Sequence, residues 1–168
     1  HFAIRRQRQM CIRDRHRGDA QALLYADDGR AWTYTELNTQ ANIVANALLD
    51  AGVLPGERVA YLDKNSPEYF MFLFGGAKIN AISVAVNWRL AAPEMEYILN
   101  HSEANVLLIG EEFLPALAEM QLTSMKTIIV LGDPGAAGYP TFDQWLVGHA
   151  DNDPHVPISP EDTCYQLY

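Results

Sequence analysis

The chain has 168 residues, 49% of them hydrophobic, which is enough for one domain with a buried core and too apolar for a disordered protein. Its formal net charge of −9 disfavours general binding to nucleic acid or to an anionic membrane. The two cysteines, Cys11 and Cys164, give neither a disulfide framework nor a metal-binding spacing, which favours reduced thiols. The longest apolar run, residues 69–77, is about half the length of a membrane span, and a secretory signal pattern is missing. We therefore expect a cytoplasmic protein.

The first 17 residues differ in charge from the rest of the chain. They hold six of the twelve basic residues and one acidic residue, Asp14, so the remainder carries six basic and twenty acidic side chains. An Arg-rich segment of this kind is typical of a nucleic-acid-binding arm or of a targeting peptide. Because the arginines follow no amphipathic period and have no interleaved aromatic residues, we favour a poorly ordered tail that is foreign to the domain. The domain itself is expected at residues 18–168.

The first part of this domain predicts a hairpin followed by a helix. Residues 22–25 and 31–34 flank the turn signal Asp27-Asp28-Gly29, a pattern typical of two antiparallel strands. Thr33 and Glu36 have the spacing of a capping box, and they open a helix whose apolar residues recur at helical spacing as far as Ala51. Gly52 is then expected to end this helix.

The next elements predict the strand–helix–strand units of a parallel sheet. A short strand at residues 58–62 precedes a helix over residues 68–78, which is apolar on most faces and is expected to be buried. Gly75 and Gly76 would let that helix approach a neighbour closely. Two further apolar strands, at residues 81–86 and 105–109, are expected to lie side by side and parallel.

The remaining pattern completes an α/β fold. The further predicted elements are a helix starting at Pro93, a helix around residues 113–120, a strand at 127–131, a loop at 132–140, a short helix at 142–147, an extended linker at 151–160 and a strand from 163 to 168. Alternating strands and helices predict a doubly wound, mostly parallel sheet flanked by helices.

The candidate phosphate loop of this sequence is weak. Gly132, Gly135 and Gly138 follow a strand, but Pro134 removes one N–H donor and neither a Lys nor a clear helix follows. We therefore predict a surface turn.

The other chemistry-bearing residues form no catalytic constellation. The acidic pairs Glu94/Glu96 and Glu111/Glu112 lie at predicted helix starts, where they stabilise the helix dipole. The histidines lack the spacing of a metal site, and a Gly-x-Ser-x-Gly elbow is missing; those considered are His16, His101, His149 and His155. We assign no catalytic, cofactor-binding or metal-binding residue to the chain.

Several segments, in this order and spacing, resemble the beginning of the acyl-CoA synthetases, the AMP-binding or adenylate-forming family. They are Trp32–Leu37, Ala51–Val53, Pro55–Ala60, Asn65 with Glu68, Gly76–Lys78, Asn87–Leu90, Glu94, Tyr97–Leu99 and Ser102–Ala104. The segment Val86-Asn87-Trp88-Arg89-Leu90 resembles acyl-CoA synthetases more than amino-acid adenylation domains. Asn87 and Arg89 are expected to brace the turn between strand and helix. The chain departs from the family at Asn80, where Gly is usual.

This resemblance implies an ATP-dependent ligase that adenylates a fatty or aryl acid with ATP and Mg²⁺ and then transfers the acyl group to CoA. It also implies that the phosphate loop follows directly on a strand such as residues 165–168. We therefore expect the chain to be an N-terminal piece of a longer ligase that is inactive alone and holds no cofactor, with all catalytic residues after Tyr168. The alternatives are an amino-acid adenylation domain of a peptide synthetase and a non-catalytic α/β binding module.

Overall fold

The computed structural model of the protein describes residues 17–168, so the predicted tail at residues 1–17 lies almost wholly outside the described residues. The strands are β1 (Gln21–Leu24), β2 (Ala31–Thr33), β3 (Arg58–Leu62), β4 (Ile82–Ala85), β5 (Val106–Gly110), β6 (Thr127–Leu131) and β7 (Tyr165–Gln166). The α-helices are α1 (Tyr34–Asp50), α2 (Pro67–Lys78), α3 (Ala92–His101), α4 (Leu114–Leu117) and α5 (Phe142–Leu146). Most lie within one or two residues of the predicted bounds, whereas α4 and β7 are shorter than predicted.

The chain forms a five-stranded parallel sheet with the order β6-β5-β3-β4-β7, and β1 and β2 form a separate antiparallel hairpin. The fold class is therefore confirmed. The predicted strands at 81–86 and 105–109 are parallel, but the prediction that they lie side by side is wrong because β3 lies between them. The chain adds β4 on one side of β3 and then crosses to the other side for β5. Apolarity marked all three strands as buried, but it carried no information on their order.

Because the chain crosses over β3 between β4 and β5, helices cover both faces of the sheet. One core joins α1, α2 and α5 to alternate residues of the strands, among them Val59, Val106 and Leu108. The other joins α3 and α4 to the intervening residues, among them Leu107 and Ile109. Successive strand side chains point to opposite faces, so each central strand is apolar throughout.

Helices α1 and α2 begin and approach each other as the sequence predicts. Thr33 Oγ1 accepts from the Glu36 N–H at 3.2 Å, and the Thr33 N–H donates to the Glu36 carboxylate at 2.8 Å, which completes the capping box. A Cβ atom on Gly75 would lie 2.5 Å from Val44 Cγ1 of α1, so this close approach requires glycine. Helix α2 is less buried than predicted, because Phe70 and Phe74 are only partly covered.

The connection from β6 to β7 runs between opposite edges of the sheet. Its second part, residues 148–163, has no helix or strand and is called the strap segment below. Two asparagines of α1 hold it: Asn42 Nδ2 donates to the carbonyl of Asp151 at 2.8 Å, and Asn46 Nδ2 donates to that of Asn152 at 2.9 Å. Helix α5 forms the first part of this crossover, and side chains of α1 hold the strap segment that follows it.

A candidate functional site at the carboxyl end of the sheet

The carboxyl ends of the parallel strands lie together at one end of the sheet, where ligands of doubly wound folds bind. The strand order reverses between β3 and β5, so the residues that follow these strands flank the switch point. Asp63 and Lys64 follow β3, and Glu111 and Glu112 follow β5. The sequence interpretation assigned none of them a site role. The signal that could have found them is the position of charged residues directly after buried strands.

Lys64, Trp88 and Glu112 link three of the strand ends. Lys64 Nζ lies 2.7 Å from the Glu112 carboxylate and 5.4 Å from the centre of the Trp88 ring. The Arg89 guanidinium also lies over the Trp88 ring, with its central carbon 4.0 Å from the ring centre. None of the ion pairs found in residues 17–168 includes Arg89. Asn87 Oδ1 accepts from the Arg89 N–H at 3.1 Å, so Asn87 braces the turn as predicted. Arg89 is therefore an exposed cation that an anionic ligand can contact.

Asp63 is a half-buried carboxylate at the switch point, and its pKa is raised. Burial raises its pKa, and the nearby Glu112 charge adds to the rise, while the Lys64 N–H at 2.7 Å opposes it. The strand backbone passes close by, because a Cβ atom on Gly110 would lie 2.4 Å from the Asp63 carboxyl carbon. Asp63 is thus held against β5 in an environment that disfavours its charge.

A cleft of about 400 Å³ opens beside Asp63, on the side of the sheet that carries α2 and α5. Its basic residue is Arg30, which lies 2.6 Å from Asp28 and 2.9 Å from Glu68. Since both partners are carboxylates, the charge of Arg30 is already neutralised. The cleft in this form is not an anion site.

The acidic pairs singled out in the sequence have structural partners. Glu94 completes a cap by accepting the Ala91 N–H at 3.0 Å, and Glu96 accepts the Gln121 N–H at 2.8 Å. Glu111 accepts the Asp133 N–H at the end of β6. Together with the Lys64–Glu112 pair, these contacts tie neighbouring elements together, and none resembles an acid–base pair.

The glycine-containing loop after β6 is a surface turn, as predicted. Gly135–Ala137 form a single 3₁₀ turn, and Gly138 follows with a φ of 73°. Among residues 17–168, no group of three or more His, Cys, Asp and Glu residues could hold a metal ion. Within the same range, no helix is both long and apolar enough to cross a membrane.

Strand β7 brings a further chain segment to the carboxyl end. It is parallel to β4, with Ser83 opposite Tyr165 and Val84 opposite Gln166. The Tyr165 and Tyr69 hydroxyls lie 3.2 Å apart, and Tyr168 Oη lies 2.8 Å from His101 Nδ1. Because β7 is parallel to β4, its carboxyl end lies at the same end of the sheet as that of β4.

The profile of the family described as "AMP-binding enzyme" matches residues 11–168. The chain belongs to the AMP-binding enzyme family. A curated relative, the fatty acid–[acyl-carrier-protein] ligase ScoC of Streptomyces coeruleorubidus, is 41% identical over 142 residues, which are 84% of this chain and 26% of that protein. The 3-hydroxybenzoate–CoA/4-hydroxybenzoate–CoA ligase of Thauera aromatica is 34% identical over 90% of this chain and 29% of its own length.

Solved structures of AMP-binding enzymes share the fold. The anthranilate CoA ligase AuaEII, crystallised with anthranoyl-AMP, superposes with a TM-score of 0.89 at 32% identity, over 95% of this chain and 31% of that one. The chain therefore spans about a quarter to a third of the length of these relatives. Over that length it is homologous to the N-terminal part of ligases that act on fatty or aryl acids.

The backbone explains the departure at Asn80. Its φ is +60°, a left-handed conformation that glycine adopts without strain and asparagine tolerates better than most residues. Glycine and asparagine can thus both occupy this turn. The Asn side chain adds a contact that glycine lacks, since Asn80 Nδ2 donates to Asp162 Oδ2 at 3.0 Å.

Proposed function

We propose that the protein to which this chain belongs is an ATP-dependent ligase that converts a carboxylic acid to its acyl-adenylate and then transfers the acyl group to a thiol. In this proposal the chain supplies the sheet whose carboxyl end faces the nucleotide. The observation that carries the proposal is the parallel pairing of β7 with β4, because it directs the chain after Tyr168 to that end. A phosphate-binding loop following β7 would then lie beside Asn87 and Arg89.

The charges at the carboxyl end support the proposal that this chain supplies only part of the ATP site of the longer protein. Four carboxylates and two cations follow the strands there: Asp63, Glu111, Glu112 and Asp133, with Lys64 and Arg89. ATP is strongly anionic, and phosphoryl transfer requires donors and cations around the phosphates. Of these two cations only Arg89 lies outside the ion pairs found in residues 17–168, and the same residues hold no metal-ligand cluster. We therefore place the Mg²⁺ ligands and the other nucleotide contacts elsewhere in the protein.

The proposed substrate is a fatty or aryl acid. The names of the relatives support both classes, since ScoC is a fatty acid ligase and the Thauera aromatica enzyme is a hydroxybenzoate ligase. The alternative substrate is an amino acid. Acid-dependent ATP–pyrophosphate exchange by the longer protein, measured across fatty, aryl and amino acids, separates the three, and exchange with amino acids alone would refute the proposal.

The acceptor thiol has two candidate carriers. CoA is the acceptor that the Thauera aromatica ligase names, whereas an acyl carrier protein is the one that ScoC names. Both present a phosphopantetheine thiol, so one chemistry serves either carrier. We propose CoA for this protein, and thioester formation with CoA compared with holo-acyl carrier protein tests it.

We further propose that residues 1–168 are inactive alone and bind no ATP, Mg²⁺ or CoA. Purified chain 1–168 should show no ATP–pyrophosphate exchange with any acid, and the chain extended to the length of its relatives should show it. The folded state of the shorter chain is verified by circular dichroism in the same preparation. Exchange catalysed by residues 1–168 would contradict the placement of the machinery after Tyr168.

A further inference from the structure

Strand β7 has few contacts of its own with the sheet. It pairs through two residues, and the adjoining Ser83 N–H donates to the Cys164 carbonyl at 3.0 Å. A slip by two residues would move the following chain by about 7 Å along the sheet, and a slip by one would reverse its faces. So short an edge strand needs other contacts to hold its register.

Asn80 supplies one such contact, at the turn between α2 and β4. Helix α2 ends in a Schellman motif, with the Ala81 N–H donating to the Gly76 carbonyl at 2.9 Å and Asn80 at the left-handed position. This backbone orients the Asn80 amide toward Asp162, three residues before β7, at 3.0 Å. The same Asp162 oxygen accepts the Ser159 N–H at 2.7 Å, so Asn80 is hydrogen-bonded to a turn of the strap segment that has its own internal hydrogen bond.

Lys78 supplies a second contact, two residues earlier. Its side chain is 4% exposed, and its Nζ lies 3.0 Å from Asp153 Oδ2. Burial raises the pKa of Asp153, but the His155 N–H and the Lys78 ammonium outweigh it and leave that pKa below its ordinary value. The end of α2 therefore holds the strap segment at Asp153 and at Asp162, on the way to β7.

We propose that Lys78 and Asn80 are positioning residues, which fix the place of β7 on the sheet by holding Asp153 and Asp162. In the longer protein they would thereby place the chain segment that follows β7 at the carboxyl end, against ATP. This last consequence rests on the proposed function, whereas the placement of β7 does not.

Hydrogen exchange of two amides in β4 and its extension tests the placement of β7 in the 168-residue chain. The Ser83 N–H donates toward β7, whereas the Val86 N–H donates to the Tyr61 carbonyl of β3 at 2.8 Å. In Asn80→Gly the left-handed backbone is kept and the amide contact is lost. We expect the protection factor of Ser83, measured by NMR, to fall roughly tenfold while that of Val86 is unchanged.

Glu103→Gly is the matched control. Glu103 is exposed, follows the end of α3 with a φ of 55°, and lies outside the strap contacts, so its replacement also relaxes a left-handed residue. It should leave both amides protected. Lys78→Met should weaken Ser83 protection as Asn80→Gly does, and Asp162→Asn, which keeps an acceptor oxygen, should largely preserve it. Unchanged Ser83 protection in Asn80→Gly, or equal losses at Ser83 and Val86, would overturn the inference.

The catalytic consequence is tested in the longer protein by ATP–pyrophosphate exchange. Asn80→Gly should raise the KM for ATP roughly threefold with a smaller change in kcat, because the binding segment is less well placed. Glu103→Gly should change neither constant. An unchanged KM in Asn80→Gly would refute the positioning role in catalysis. If the unmodified protein shows no exchange, the proposed function fails, and the Ser83 result still decides whether the strap contacts hold β7.

Discussion

The two ends of the sheet use polar residues differently. At the amino end two buried side chains have carboxylate partners: Lys78 holds Asp153, and Asn105, 5% exposed, donates to the Glu57 carboxylate at 2.9 Å. At the carboxyl end the main ion pair, Lys64–Glu112, is about half exposed on both sides. Buried pairs are costly to break, whereas exposed pairs contribute little to stability. The comparison indicates that the amino end maintains the fold and that the carboxyl end is free to meet a ligand.

The largest expected difference comes from breaking one ion pair at each end. Asp153→Ala leaves the Lys78 ammonium buried without its partner, so we expect a loss of about 2–4 kcal/mol in the free energy of unfolding. Glu112→Ala removes the partner of Lys64, whose ammonium is already solvated, so the free energy of unfolding should fall by less than about 1 kcal/mol. Urea denaturation of both variants measures this, and equal losses would contradict the comparison.

A smaller difference is expected between two glycines. Gly75→Ala places a methyl group against Val44 and the backbone oxygen of Ala41, and should cost about 1–3 kcal/mol in stability. At Gly110 the atoms nearest to the added methyl group are those of the Asp63 carboxylate, a side chain that can turn toward solvent, so the cost should be lower.

Gly76→Ala is the control for this pair of glycines. Its Cβ atom would have ordinary contacts of 3.5–3.9 Å, so the variant should be neutral or stabilising by up to about 1 kcal/mol. Thermal unfolding ranks the three variants. A Gly110→Ala cost as large as that of Gly75→Ala would show that the carboxyl end is as rigid as the helix contact.

The smallest effect is expected at Asp63 and depends on pH. Burial raises the pKa of this carboxyl group in the folded state, so its ionisation destabilises the fold. That penalty is absent below about pH 3, where the group is protonated in both states, and is complete once the pH exceeds the raised pKa. Asp63→Asn should therefore raise Tm slightly at neutral pH and leave it unchanged at about pH 3. A Tm difference independent of pH would show that charge burial is not the cause.

The sequence was sufficient where local chemistry decides the structure. The capping residue Thr33 marks the start of α1, and Gly75 marks the close helix contact. The segment Asn87–Leu90, with others in order, indicated the family that the comparisons show. These signals are local in the chain, so they could be recognised without knowing which elements meet.

By itself, then, the sequence determined the fold class, most element bounds and the family. Only the tertiary structure decided that β3 separates β4 from β5, and that Lys64, Trp88 and Glu112 meet at the carboxyl end. It alone also joined Asn80 to Asp162, which are 82 positions apart. The physical reason is that apolar patterns and caps are fixed by neighbours in the chain, whereas strand order and polar pairing depend on which distant segments pack together.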